Sequence, residues 1–305
     1  MERGVGDLSF VAATGFFDGV HVGHRYLIDQ VKTAAVGRGL PSAVITFPVH
    51  PRRVLQKDYQ PALLCGFDEK AERLSSTGVE YCISLPFTVE LSRLSAGEFM
   101  RGVLKEQLHV DTLLVGYDHR FGRDREEGYP EYRRYGEELG IEVLPASCFR
   151  VGDGEVSSSQ IRRLLKAGRM REANGLLSYN YRLSGRIVEG CRVGRTMGFP
   201  TANMQVWERY KVMPAPGVYA VWVYLRDLVR RGMLYIGRRP TLHSGGEISV
   251  EVNIFDFDGN LYGESISVEF IDFVRTDRKF ASKEELMAQI RRDREVVEQR
   301  LNGKV

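Results

Sequence analysis

The sequence contains few cysteines, and none is spaced for a metal site or a redox pair. Its four cysteines are scattered, without a C-x-x-C pair or a histidine at metal-ligand spacing, at Cys65, Cys82, Cys148 and Cys191. This pattern argues against a zinc site and against a disulfide framework. We therefore expect reduced thiols that serve as packing residues.

Long apolar runs are also absent. No stretch reaches the roughly 18 apolar residues that a membrane-spanning helix needs. Residues 1–7 carry charges and glycines rather than a basic segment followed by an apolar core. These absences predict a cytoplasmic protein with no membrane partner.

The chain lacks a strong charge of either sign. Its 43 Lys and Arg residues stand against 40 Asp and Glu residues, for a net charge of +3 at pH 7. So small and evenly spread a charge does not predict nucleic acid as a partner, and small anionic ligands explain it as well. The motif G-x-x-x-x-G-K-[ST] is also missing, which excludes a P-loop kinase.

The composition is that of a globular chain, and its 305 residues are enough for two cores. Up to about residue 180, apolar strand-like segments alternate with helix-like ones, which predicts a Rossmann-like parallel sheet wrapped by helices. The strand-like segments are 8–14, 43–47, 81–85, 112–115 and 141–144. Later segments alternate with period two between turn residues and predict an antiparallel β-barrel. A capping-box pattern at residues 282–285 predicts a terminal helix, and we place the domains at 1–178 and 179–305.

The run GFFDGVHVGH, residues 15–24, directly follows the first strand-like segment and opens a helix-like one. Backbone N–H groups at a helix N-terminus attract anions, and His21 and His24 add hydrogen-bond donors beside them. Gly23 would let an anion approach the backbone. A histidine pair alone can be simple packing, but this combination indicates a phosphate site at the end of the first strand.

Two further runs in the first half carry chemistry. Residues 115–122, VGYDHRFG, again follow a strand-like segment and bring Asp118 to the same sheet edge, although such a run can also be a plain turn. In residues 157–163, Ser158 and Ser159 lie at a helix start and Arg162 follows one turn later. These hydroxyls can be helix caps, triphosphate ligands or both.

These three runs resemble the adenylyltransferase half of the bacterial bifunctional riboflavin kinase/FAD synthetases. In the second half, GRTMGFPTAN (194–203), IGRRPT (236–241) and EVNIFDF (251–257) are similar to the riboflavin kinase signature. The resemblance covers nearly the whole chain. It implies a nucleotidyltransferase domain followed by a riboflavin kinase barrel, with ATP as co-substrate twice and riboflavin, FMN and FAD as substrates or products.

The resemblance also implies site residues. In the first domain, His21 and His24 would be catalytic, and ATP would be bound by Gly15, Phe17, Asp18, Gly23, Asp118, Ser158, Ser159 and Arg162. In the second, Glu251 would be the catalytic base, and ATP would be bound by Gly194, Arg195, Gly198, Pro200, Thr201 and Asn203. Mg²⁺ would be held by Thr201 and Asn203, whose hard oxygen atoms suit that ion.

The chemistry of the two reactions agrees with this assignment. Phosphoryl transfer to an alcohol needs a metal-bridged triphosphate and a base near the hydroxyl, the role of Glu251. Adenylyl transfer to FMN needs no base, because the second pKa of a phosphate monoester is about 6. It needs charge stabilisation as pyrophosphate leaves, which His21, His24 and the serine-rich helix start would supply as donors.

Several residues depart from the family pattern. The departures in the first half are Phe16, Val49, His119 and Ser159, of which Ser159 keeps the hydroxyl. The departure in the second half is Tyr235. One alternative is therefore a riboflavin kinase with a degenerate N-terminal domain. Another is a non-catalytic flavin- or nucleotide-binding regulator that contacts RNA through arginines such as Arg52 and Arg53. The sequence is compatible with an oligomer.

Overall fold

The structure, a computed structural model, describes residues 8–56, 58–116, 119–152, 154–189, 199–238 and 248–303. The chain divides into two compact units, residues 1–158 and 159–305. Our domain boundary after residue 178 stays a prediction. Among the described helices, none combines the length and apolarity that crossing a bilayer requires.

The first unit contains a five-stranded parallel sheet in the order β3-β2-β1-β4-β5. Its strands are β1 (Phe10–Thr14), β2 (Ser42–Thr46), β3 (Tyr81–Ser84), β4 (Val110–Val115) and β5 (Glu142–Pro145). A two-stranded antiparallel ribbon follows, β6 (Arg150–Val151) and β7 (Gly154–Glu155). The strand order reverses between β1 and β4, and in open parallel sheets ligands bind at the carboxyl ends of the strands at such a point.

Helices cover this sheet on both faces. They are α1 (Val22–Arg38), α2 (Pro51–Leu55), α3 (Phe67–Ser75), α4 (Val89–Arg93), α5 (Ala96–Glu98) and α6 (Tyr129–Leu139), and α5 continues as a π-helix (Phe99–Gln107). All five residues of β1 are buried, and alternate ones face opposite sides. Phe10 and Ala12 pack with the π-helix residue Met100, whereas Val11 packs with Ile28 of α1.

The second unit is a closed six-stranded antiparallel barrel in the order β10-β11-β12-β9-β8-β13. Its strands are β8 (Arg182–Val188), β9 (Ala202–Val206), β10 (Gly217–Leu225), β11 (Leu228–Arg238), β12 (Ile248–Ile254) and β13 (Ser265–Arg275). Two helices precede the barrel strands along the chain, α7 (Ser158–Lys166) and α8 (Met170–Leu177). A third helix, α9 (Lys283–Leu301), follows the last strand. The fold class predicted from the sequence is therefore confirmed.

The terminal helix α9 begins at the cap that the sequence predicts. The Ser282 side chain accepts a hydrogen bond from the Glu285 N–H at 3.2 Å. Val297 of α9 is fully buried in a cluster with Val218 of β10 and Phe255, which follows β12. One apolar face of the helix thus packs on the barrel.

A Gly185→Ala substitution is expected to destabilise the barrel by about 1–3 kcal/mol, the usual cost of forcing an extra methyl into a packed site. A Cβ at Gly185 would lie 2.2 Å from the carbonyl oxygen of Gln205, a backbone atom of the neighbouring strand. Urea unfolding followed by tryptophan fluorescence measures the effect, because Trp207 and Trp222 both belong to the second unit. Gly175→Ala is the control.

At Gly175, inside α8, an added Cβ would meet nothing within 4 Å. Alanine there should therefore stabilise the helix by about 0.5–1 kcal/mol. Equal unfolding midpoints for the two variants would contradict the packing argument for Gly185.

Candidate active sites

The turn between β1 and α1, residues 15–21, has an unusual backbone. Phe17 and Val20 have positive φ angles of 52° and 39°, and Gly19 lies between them at 79°. A β-branched or aromatic residue with positive φ costs energy, and such residues concentrate at binding and catalytic sites. We call residues 15–21 the phosphate turn.

His21 and His24 lie side by side at the start of α1. His21 is the N-cap residue, and its Nδ1 accepts a hydrogen bond from the His24 N–H at 3.4 Å. Their rings stack with centroids 3.7 Å apart. A Cβ at Gly23 would lie 3.2 Å from the His21 ring, so glycine at this position makes room for the imidazole itself.

His24 is neutral at neutral pH. Burial, and then the positive charges of His21 and Lys70, hold the pKa of His24 well below its ordinary value of 6.5. Its Nδ1 is buried and has no hydrogen-bond partner within the part of the chain that the structure describes. Neutral imidazole carries a single N–H donor.

Acid is expected to weaken the first unit through His24. Because its pKa is lowered in the folded chain, the unfolded chain binds this proton more tightly. The contribution of neutral His24 is therefore complete above about pH 6.5 and is lost as the pH falls toward the folded-state pKa. Thermal unfolding followed by circular dichroism should show a smaller loss of stability between about pH 7.5 and 5.5 in His24→Gln than in the wild type. An equal pH dependence of stability in the two proteins would contradict a lowered pKa for His24.

Asp18 and Ser158 hold the phosphate turn in place. The carboxylate of Asp18 is buried and accepts a hydrogen bond from the Leu64 N–H at 2.9 Å. The Ser158 hydroxyl donates to the Asp18 carbonyl oxygen at 2.9 Å. The ring of Phe17 packs edge-on against His24, with centroids 5.2 Å apart. Both polar residues are thus fixed beside the histidine pair.

Other predicted residues of the first site are placed as follows. The Gly15 N–H donates to the Ile45 carbonyl at 3.0 Å, which ties the turn to β2. Ser159 and Arg162 lie on α7 in the second unit. Asp118 lies outside the described residues.

The barrel has two cavities that meet at Thr201. The larger one, of about 570 Å³, is lined by Pro200, Thr201 and Asn203 among others. The smaller one, of about 320 Å³, is lined by Thr201 and Glu251. Gly194, Arg195 and Gly198, which were predicted to bind ATP here, lie outside the described residues.

The two cavities differ in character. Glycine and polar residues at 258–260 border the larger one. Apolar side chains line much of the smaller one, namely Phe199, Val218, Met233, Phe280, Leu286 and Ile290. Glu251 lies opposite Asn203 in the pairing of β12 with β9 and opposite Tyr235 in the pairing of β12 with β11. A carboxylate in an apolar cavity therefore lies next to the residues predicted to bind ATP.

Tyr235 and Asn253 complete the smaller cavity. Burial, a hydrogen bond with Asp277 and the charge of that carboxylate raise the pKa of Tyr235 to about 12, so it stays protonated. Asn253 Nδ2 donates to the Pro200 carbonyl at 2.7 Å and fixes the segment before β9. Sequence reasoning did not assign Asn253 a role, although it lies in the run EVNIFDF.

Lys70 is the main residue of the first unit that sequence reasoning missed. It lies on α3 and is 2% exposed. Its neighbours Asp68 and Glu69 make the helix start look like a solvated charged surface in the sequence. No local signal marks this lysine as buried.

A parallel sheet with a glycine-containing turn at its switch point, followed along the chain by a closed barrel with a carboxylate in one of two adjoining cavities, defines a two-domain transferase. A family model described as FAD synthetase matches residues 7–160, and one described as Riboflavin kinase matches residues 177–301. The chain belongs to the bifunctional riboflavin kinase/FMN adenylyltransferase family, and its two domains are those of the two enzymes.

Relatives match over nearly their whole length. The bifunctional riboflavin kinase/FMN adenylyltransferase of Listeria monocytogenes is 37% identical over 94% of this chain and 91% of its own. That of Escherichia coli K12 is 37% identical over 95% of this chain and 94% of its own. A crystal structure described as a macrolide-efflux protein from Streptococcus pneumoniae aligns with a TM-score of 0.86 and 32% identity, covering 96% of this chain and 95% of that one.

Proposed function

We propose that the barrel phosphorylates riboflavin with ATP in the larger cavity and the flavin in the smaller one. The observation that carries this proposal is the meeting of the two cavities at Thr201, with Glu251 in the apolar one. An aromatic flavin ring suits apolar walls, and the polar, glycine-containing cavity suits a nucleotide.

Glu251 is the proposed general base of this step. Its carboxylate takes the proton of the flavin's terminal hydroxyl, whose oxygen forms a bond to the γ-phosphorus of ATP. The bond from that phosphorus to the β-bridging oxygen breaks, and ADP leaves. Glu251 lies across from Asn203, which supports a base and a phosphate ligand at neighbouring positions.

Mg²⁺ is the proposed metal of the barrel. The donor set fits it, because Thr201 and Asn203 offer neutral hard oxygens and Mg²⁺ commonly keeps several waters and binds phosphate oxygens. No cluster of three or more His, Cys, Asp or Glu residues with metal-binding geometry occurs in the described ranges. When bound, the ion would neutralise charge on the phosphates, and Thr201 and Asn203 would hold it.

In the first unit, His21 and His24 are the proposed donors for adenylyl transfer. An oxygen of the FMN phosphate attacks the α-phosphorus of ATP, and the bond to pyrophosphate breaks. Because Nδ1 of His21 accepts a hydrogen bond, a neutral His21 carries its proton on Nε2 and can donate it to a phosphate oxygen. Asp18 and Ser158 keep the turn in position, and Gly15, Phe17 and Gly23 shape it.

Separation of flavins by chromatography tests both proposals. The purified protein is incubated with riboflavin, ATP and Mg²⁺, and a parallel reaction starts from FMN. We expect FAD from both reactions, and EDTA should stop FMN formation. FMN without FAD would leave a kinase with a degenerate N-terminal domain, and no product from either would favour a non-catalytic regulator.

The oligomeric state and the cytoplasmic location of the protein stay predictions from its sequence.

A further inference from the structure

Lys70 occupies a position that lysine rarely takes. Its side chain is 2% exposed, although lysine is almost never fully buried unless it has partners. It lies on the second turn of α3, and none of the motifs that suggested a function includes it. A buried charge at this position needs an explanation, because removing a charge from water is costly.

Three acceptors surround the ammonium group. Lys70 Nζ donates to the Phe47 carbonyl at 2.6 Å, the Phe16 carbonyl at 3.1 Å and the Thr46 hydroxyl at 3.2 Å. These contacts use all three of its N–H donors. The ammonium also lies 4.1 Å from the centre of the Phe16 ring. Lys70 thus joins the phosphate turn after β1 to the end of β2, two segments at the carboxyl edge of the sheet.

The charge of Lys70 also reaches the histidine pair. The pKa of His24 is lowered first by burial, then by the charge of His21 and last by that of Lys70. Burial lowers the pKa of Lys70 itself to about 8, although the negative charge of the nearby Asp18 carboxylate raises it. Lys70 is therefore protonated at neutral pH and loses its proton in mildly alkaline solution.

We propose that Lys70 is a positioning residue of the adenylyltransferase site, which fixes the phosphate turn against the end of β2. The proposal rests on the proposed function of the first unit. A protonated Lys70 satisfies three acceptors, whereas the neutral amine has only two N–H donors for them. Loss of the Lys70 proton would therefore leave one buried acceptor unpaired and would release the turn.

The activity test compares two substitutions at Lys70 with a control. Lys70→Met is expected to lower kcat/KM for FAD formation from FMN by about a hundredfold, mainly through kcat, because one mispositioned donor of a transition state costs about that much. Lys70→Arg keeps the charge and should stay within about tenfold of the wild type. Lys105→Met, which removes a contact of 2.8 Å from an exposed ammonium to the Gly140 carbonyl, should change nothing. Riboflavin phosphorylation by the same chain is the internal reference.

A pH profile separates this role from simple support of the fold. In the wild type, FAD formation should fall above about pH 8 as Lys70 loses its proton. In Lys70→Arg the fall should move to higher pH, because arginine stays charged. The proposal would be overturned if both variants, Lys70→Met and Lys70→Arg, formed FAD at the wild-type rate and with the wild-type pH profile.

A measurement that needs no turnover completes the test. The six histidines of the chain can be labelled and titrated by NMR, with His24 assigned through His24→Gln. Because His24 packs against Phe17 of the phosphate turn, we expect its ring signals to shift in Lys70→Met, where the turn is released, and to stay near their wild-type positions in Lys70→Arg. Unchanged His24 signals in Lys70→Met would overturn the proposal. If the wild type made no FAD, the proposed function of the first unit would fail, and these spectra would still decide whether Lys70 positions the phosphate turn.

Discussion

Glu251→Gln is expected to slow riboflavin phosphorylation by about 10²–10⁴-fold, the usual contribution of a general base. Glutamine has nearly the same size but cannot take the proton of the flavin hydroxyl. FAD formation from FMN should continue at the wild-type rate, because it needs no base and belongs to the other unit. Flavin chromatography after single-turnover and steady-state reactions measures both rates.

Glu269→Gln is the matched control for Glu251→Gln. Glu269 is also a barrel carboxylate, on β13, and it accepts a hydrogen bond from the Tyr224 hydroxyl at 3.1 Å. It lines neither of the two described cavities. Its substitution should leave FMN formation unchanged. Normal FMN formation by Glu251→Gln would show that the base is a different group.

His24→Ala is expected to lower FAD formation from FMN by about 10²–10³-fold, as the loss of one preorganised donor does in other enzymes. His24 stacks on His21 and lies against Phe17, so its removal also loosens the neighbouring imidazole. FMN formation from riboflavin should be unaffected. A reaction started from FMN, with pyrophosphate release followed in parallel, measures the loss.

His109→Asn serves as the control for His24→Ala. His109 is exposed and has a positive φ of 52°, a conformation that asparagine tolerates better than most residues. It should form FAD at the wild-type rate. A His24→Ala variant that also lost FMN formation would point to general misfolding instead of a separate site.

Elements with a strong local pattern were predicted well from the sequence. The last four strand-like segments of the first half overlap β2 to β5, and the segment 8–14 contains β1. Helix α3 was not predicted, because two of its three buried residues, Glu69 and Lys70, are charged. Strand β9 was also missed, since ANMQV has no clear alternation and forms through pairing with β8 and β12.

The candidate sites show the same division between local and tertiary information. The position of His21 and His24 at a helix start follows from the order of strand, glycines and histidines in the sequence, and the structure has it so. Contacts made across the fold could not be predicted, such as Lys70 to Phe16 and Asn253 to Pro200. The catalytic and ligand roles of the named residues stay predictions until the variants are measured.

Thr201 borders both cavities of the barrel, and this shared wall has a consequence for inhibition. A compound that fills the larger cavity, the one proposed for ATP, as far as Thr201 also changes the surface of the smaller cavity proposed for the flavin. The two affinities are then linked, and the linkage is reciprocal. Such a compound would change the apparent KM for riboflavin as well as that for ATP, and a substitution at Thr201 that weakens the compound would alter the surface met by both substrates.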